Sequence, residues 1–160
     1  MDHDLPSESL SEHWEDLEAD LEATARELEA DGWTTVTLHP GDVTTRIREA
    51  ESDSGLDVMV ADNEFDRLEA ELEAEAEFGE TAVFRRAAGG IMFLVFVLRD
   101  PDAEVAAVFP AFYPQEGDDA RTLADRAHET GQLNVFVHPL KRDRVVTFTI
   151  EKPELVFPSD

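Results

Sequence analysis

From Leu10 to Leu28 the apolar residues Leu10, Trp14, Leu17, Leu21, Ala25 and Leu28 recur every three or four positions on an otherwise acidic stretch. That spacing predicts one amphipathic helix. Ser9 and Glu12 have capping-box spacing at its start, and Asp31-Gly32 suits its end. Residues 33–39 then alternate around β-branched Val and Thr, which predicts a strand ended by Pro40-Gly41. The pattern weakens over 42–54, and Leu56 to Val60 reads as a short strand. Asp62 is placed to cap a second acidic helix running to about Glu77, with Phe65, Leu68, Leu72 and Ala76 inward.

Beyond Gly79 the texture becomes that of a sheet. Thr81 to Ala87, Ile91 to Arg99 and Val105 to Phe112 are three strands joined by Gly89-Gly90 and Asp100-Pro101-Asp102, an antiparallel meander. Pro110 has no ladder donor, so its strand is expected to bulge or lie at an edge there. A third helix is predicted over Asp118 to Thr130, stopped by Gly131, followed by strands over Leu133 to His138 and Val145 to Ile150. Leu155, Val156 and Phe157 are expected to pack back as a short tail. The expected fold is therefore α+β: an antiparallel sheet of five to seven strands against two long acidic helices, with a third helix before the C-terminal strands. Residues 1–8 form a flexible acidic leader, and 9–160 form one domain.

Charge changes this picture most. Of 160 residues, 38 are Asp or Glu, and the formal net charge is -25. Only Lys141 and Lys152 are lysines, beside 11 arginines. Residues 1–31 hold 12 acids and one Arg, and residues 42–80 hold 14 acids and three Arg, whereas residues 81–115 hold three of each. The near-neutral middle, with eight apolar residues from Ile91 to Leu98, reads as interior. The Debye length is about 10 Å at 0.1 M salt and about 3 Å at 1 M, so concentrated salt relieves the repulsion. In its acidity, scarce Lys and lack of Cys, the chain resembles the small, functionally undefined proteins of salt-in halophilic archaea. That resemblance implies a cytoplasmic protein coated in hydrated monovalent cations. It implies no mechanism.

The absence of Cys excludes disulfides, thiolate metal sites and a cysteine nucleophile. No apolar run approaches membrane-spanning length. Nucleotide-binding glycine patterns and nucleophile elbows are also absent, so neither a cofactor nor a catalytic residue is assigned.

The remaining candidates are weaker constellations. Arg85, Arg86, Arg99 and His138 could grip an acidic ligand at the sheet edge, although structural pairing with nearby carboxylates is the stronger expectation. His39, His128 and His138 could supply a metal sphere only if the fold brought them together, since no pair has helical ligand spacing. Lys141, Arg142 and Arg144 form the one basic hairpin; the net charge argues against nucleic acid there and favours pairing with acidic neighbours. Phe93, Phe96, Phe109, Phe112 and Tyr113 lie on strands that need cover on both faces, which suggests a homodimer or a protein partner on an apolar sheet face. The leading expectation is a non-catalytic interaction or accessory module. The alternatives are a small-ligand or metal-dependent enzyme with a pocket at the sheet edge, and an acidic mimic of nucleic acid.

Overall fold

The structure is a computed structural model and describes residues 7–50 and 53–158, with side chains from residue 12 onward. Helix α1 spans Ser7–Ala30, followed by strands β1 (Thr34–Thr37), β2 (Asp42–Arg46) and β3 (Gly55–Met59). Helix α2 (Asp62–Glu73) leads into the meander β4 (Glu80–Ala88), β5 (Ile91–Asp100) and β6 (Val105–Pro114). Helix α3 (Asp118–Thr130), strands β7 (Leu133–His138) and β8 (Val146–Ile150), and a 3-10 turn at Pro153–Leu155 complete the order.

The α+β class is as expected, but its sheet arrangement is not. Among the described residues the strands form two mixed four-stranded sheets, ordered β1-β6-β5-β4 and β2-β3-β7-β8, in place of one antiparallel sheet. The β4-β5-β6 meander is antiparallel, and β1 adds to it in parallel with β6. In the second sheet β3 and β7 are parallel, with β2 and β8 antiparallel at the edges. Pairing partners distant in sequence decide this division, which local periodicity does not encode.

Side-chain parity builds three layers. Phe93, Val95 and Val97 of β5 face α1 and pack with its Leu17 and Leu21. The alternate residues Met92, Leu94, Phe96 and Leu98 face the second sheet, sharing a core with Leu56 and Val58 of β3 and with Val135 and Val137 of β7. The second face of the meander is thus covered by a sheet of the same chain. Phe93, Phe96, Phe109 and Tyr113 are buried and Phe112 is half-buried, so these aromatics form intramolecular core in place of the expected partner surface.

Local chemistry explains several boundaries. Gly89 and Gly90 have φ of +60° and +83°, the positive pair required by a tight two-residue hairpin turn. The β1 pairing ends at Val108, so β6 is unpaired on that side by Pro110, as the missing donor demands. Helix α1 begins at Ser7, two residues before Ser9, which lies inside it; of the expected leader, residues 1–6 lie outside the described residues. Helix α2 is capped at Ala61, with Asp62 its first residue. It also ends earlier than expected, where Glu75 takes φ of +69° and the Asp100 carboxylate accepts the Glu77 N–H at 2.8 Å. Among the described residues α1, with 24 residues, is the one long helix, beside 12 in α2 and 13 in α3. The C-terminal tail packs back as expected: Val156 and Phe157 are buried, and the Tyr113 hydroxyl donates to the Val156 carbonyl at 2.7 Å.

Candidate functional site

The outer face of the second sheet carries the polar chemistry. Strand register places Arg46, Gly55, Asn134 and Thr149 in one cross-strand row and Thr44, Asp57, Phe136 and Thr147 in the next. Residues paired across strands share a face, and alternate residues point to the opposite one. Leu56, Val58, Val135 and Val137 therefore enter the core while Asp57, Phe136 and His138 point outward. Gly55 supplies the clearance at this point. A Cβ there would come within 2.1 Å of the Asn134 carbonyl oxygen and 3.0 Å of the Phe136 ring, so β3 and β7 approach only because the side chain is absent.

Asp57 and His138 are 4% and 2% exposed, and Asp57 Oδ2 accepts from His138 Nε2 at 2.8 Å. Arg142 reaches back from the β7–β8 loop and clasps the same carboxylate with both terminal nitrogens, at 3.2 Å to Oδ1 and 2.9 Å to Oδ2. Arg46 Nη1 lies 3.6 Å from Oδ1, and its guanidinium covers the Phe136 ring at 4.6 Å from the centroid. Burial alone would push the Asp57 carboxyl up. The hydrogen bonds and charges of Arg142 and His138 outweigh it and hold the group below its ordinary 3.8. His138 Nδ1 faces the Pro139 carbonyl at 2.6 Å. With a carboxylate at one ring nitrogen and a carbonyl at the other, both nitrogens are engaged within the protein, and neither is directed at a reacting molecule.

Around this buried knot lies a cleft of ≈ 880 Å³. Arg46, Arg48, Arg126, Arg142 and Arg144 line it, five of the 11 arginines of a chain with net charge -25. Asp53 is the one acidic residue on its described lining, with Asp57 lying beneath. Arg126 comes from α3 and donates to the Arg48 carbonyl and to Ser54 Oγ, fixing the loop after β2. Arg144 is largely neutralised by Asp66 at 3.0 Å and Glu69 at 2.6 Å. Arg48 and Arg126 pair with no carboxylate among the described residues, and Arg46 Nε is buried without a hydrogen-bond partner among them. Thr130, Gln132, Asn134 and Thr147 add neutral polar groups to the wall.

The sequence candidates are distributed differently. Arg85 donates to the Glu154 and Leu155 carbonyls, Arg86 lies 3.8 Å from Asp16, and Arg99 lies 3.4 Å from Glu80. These three serve packing and pairing on the meander, whereas His138 lines the cleft on the other sheet. His39 sits between Glu22 and Glu64, His128 contacts the Phe157 carbonyl, and His138 is held by Asp57. The three histidines are thus in separate settings, and the described residues contain no group of three or more His, Asp or Glu arranged to hold a metal. Of the basic hairpin, Arg142 and Arg144 pair with acids as expected and also line the cleft. Sequence reasoning missed Arg46, Arg48, Asp57 and Arg126. The available signals were an Asp between Leu56 and Val58 in an apolar strand and arginines two residues apart around Ile47.

A protein family of unknown function, DUF7529, matches residues 3–158. The chain belongs to this family. No curated protein and no solved structure matches it. Among the described residues no helix is long and apolar enough to cross a membrane.

Proposed function

We propose that this DUF7529 protein is a non-catalytic binding module whose cleft on the second sheet captures an anionic ligand. The single observation that carries this reading is the gathering of five arginines around one cavity in a strongly acidic chain. Random placement of scarce cations on an acidic surface would favour pairing with the abundant carboxylates, yet Arg48 and Arg126 have none among the described residues. Guanidinium groups suit oxyanions because their planar donors form two parallel hydrogen bonds. The volume lies within the range of small-molecule sites. A binding role is favoured over catalysis because both His138 nitrogens are engaged and Asp57 is clasped by Arg142. The setting is the cytoplasm of a salt-in halophile, where cations screen the acidic helices and binding depends on contacts at hydrogen-bond distance.

The test is a crystal grown from KCl and soaked in tungstate, a heavy oxyanion located by its anomalous scattering. The expected peak lies in the cleft within hydrogen-bond reach of Arg46, Arg48 or Arg126. Tungstate bound elsewhere, with the cleft empty at saturating concentration, would remove the proposal.

A further inference from the structure

Resting on the anion-binding reading, we propose that the cleft is a two-lobed site for a compact small molecule carrying two linked phosphate-type groups. The arginines fall into two pairs. Arg46 and Arg142 converge on Asp57 Oδ1, at 3.6 and 3.2 Å, and form the first lobe. Arg48 and Arg126 form the second, joined where Arg126 Nη1 donates to the Arg48 carbonyl. Arg46 ends β2 and Arg48 follows two residues later, both lining the same cavity. In extended chain that separation is roughly 7 Å between backbones. One oxyanion forking onto one lobe leaves the other unanswered, whereas two linked groups can answer both.

Charge accounting points the same way. Asp57 is shared by Arg46, Arg142 and His138, so the first lobe is not neutralised from within. The second lobe faces only Asp53 on the described lining. A monovalent anion would leave this excess largely unmatched. A nucleic acid would match it locally, but its flanking phosphates would extend onto a surface of net charge -25, which repels them. A compact diphosphate keeps all its charge inside the cleft. In molar salt, where the screening length is about 3 Å, such bidentate contacts are what survives.

Calorimetric titration of the full chain in KCl, at constant ionic strength, tests this with pyrophosphate, orthophosphate and a short single-stranded DNA. Pyrophosphate is expected to bind at least about tenfold more tightly than orthophosphate, since the second group binds from an already tethered molecule. Arg48→Ala, at an exposed position where folding should tolerate truncation, is expected to remove that advantage while orthophosphate still occupies the first lobe. Arg142→Ala should do the converse. Equal affinity for the two phosphates, with orthophosphate binding in the cleft, would overturn the two-lobed site and leave the anion site standing. Tighter binding of the oligonucleotide than of pyrophosphate would overturn the compact ligand. Failure of every anion to bind would overturn both this inference and the reading beneath it.

Discussion

His138 Nε2 and Asp57 Oδ2 meet at 2.8 Å across 81 residues of sequence, with both side chains almost wholly buried on the outward face of a sheet. Because the carboxylate is also clasped by Arg142, removing its charge should leave His138 and two guanidinium groups without their shared partner. Breaking a buried pair by removing one member costs about 3 kcal/mol or more, and the 62% exposure of Arg142 favours the lower end. Asp57→Asn is therefore expected to destabilise by about 3 kcal/mol in denaturant titrations at constant KCl. The acid side follows from linkage. The folded pKa of Asp57 lies below its ordinary 3.8, so its contribution is fully present above that value and is lost as pH falls through the lower folded pKa. The difference between wild type and Asp57→Asn should shrink below about pH 3.8. A difference independent of pH across that range would contradict the assignment.

His39 behaves with the opposite sign. Its ring lies 3.0 Å from Glu22 of α1 and 2.6 Å from Glu64 of α2, and its backbone N–H also donates to Glu64. Partial burial pushes the imidazole down, but hydrogen bonds and charge from the two carboxylates outweigh it and raise the pKa above 6.5. Its stabilisation is thus fully present below pH 6.5 and lost as pH rises through the raised folded value. With 41% of the side chain exposed, the effect is expected to stay below about 1 kcal/mol. His39→Gln should therefore lower the urea midpoint more at pH 6 than at pH 9. The same loss at both pH values would show that only packing matters at this position.

The acidic coat makes its own prediction. Twelve acids face one arginine over residues 1–31, which include α1, so mutual repulsion should weaken the fold when salt is dilute. The midpoint of thermal unfolding is expected to climb as KCl rises from millimolar to molar. A chain equally stable in a few millimolar buffer would contradict the proposed halophilic setting, and its acidity would then need another cause.

What the sequence revealed follows from the range of the forces involved. Helix α3 and strand β7 have the predicted bounds, because the apolar period and the Gly131 stop, with φ of +77°, are local. The division into two sheets was not legible, since Thr34 pairs with Val105 and Gly55 with Asn134, far along the chain. The same distances hid the site. Asp57 gains its meaning only when β3 lies beside β7 and the next loop returns Arg142 to it. Arg126 was one cation on the polar side of a helix until α3 docked against the loop that carries Arg48. His138 was visible as a strand-end histidine, but its expected arginine partners were those of the other sheet. Gly55 read as the end of the turn-rich stretch from Glu51, whereas it is required for a close approach between strands and not for an unusual backbone angle.

The most direct measurement is a calorimetric titration of pyrophosphate at constant ionic strength into wild type, Arg48→Glu and Arg26→Glu. Arg48 lines the cleft, whereas Arg26 is exposed on α1, so the two reversals change net charge equally. Saturable binding to wild type, weakened at least about tenfold by Arg48→Glu and by less than about twofold by Arg26→Glu, is the predicted result. Equal losses in both variants, or no saturable binding to wild type, would contradict an anion site on the second sheet.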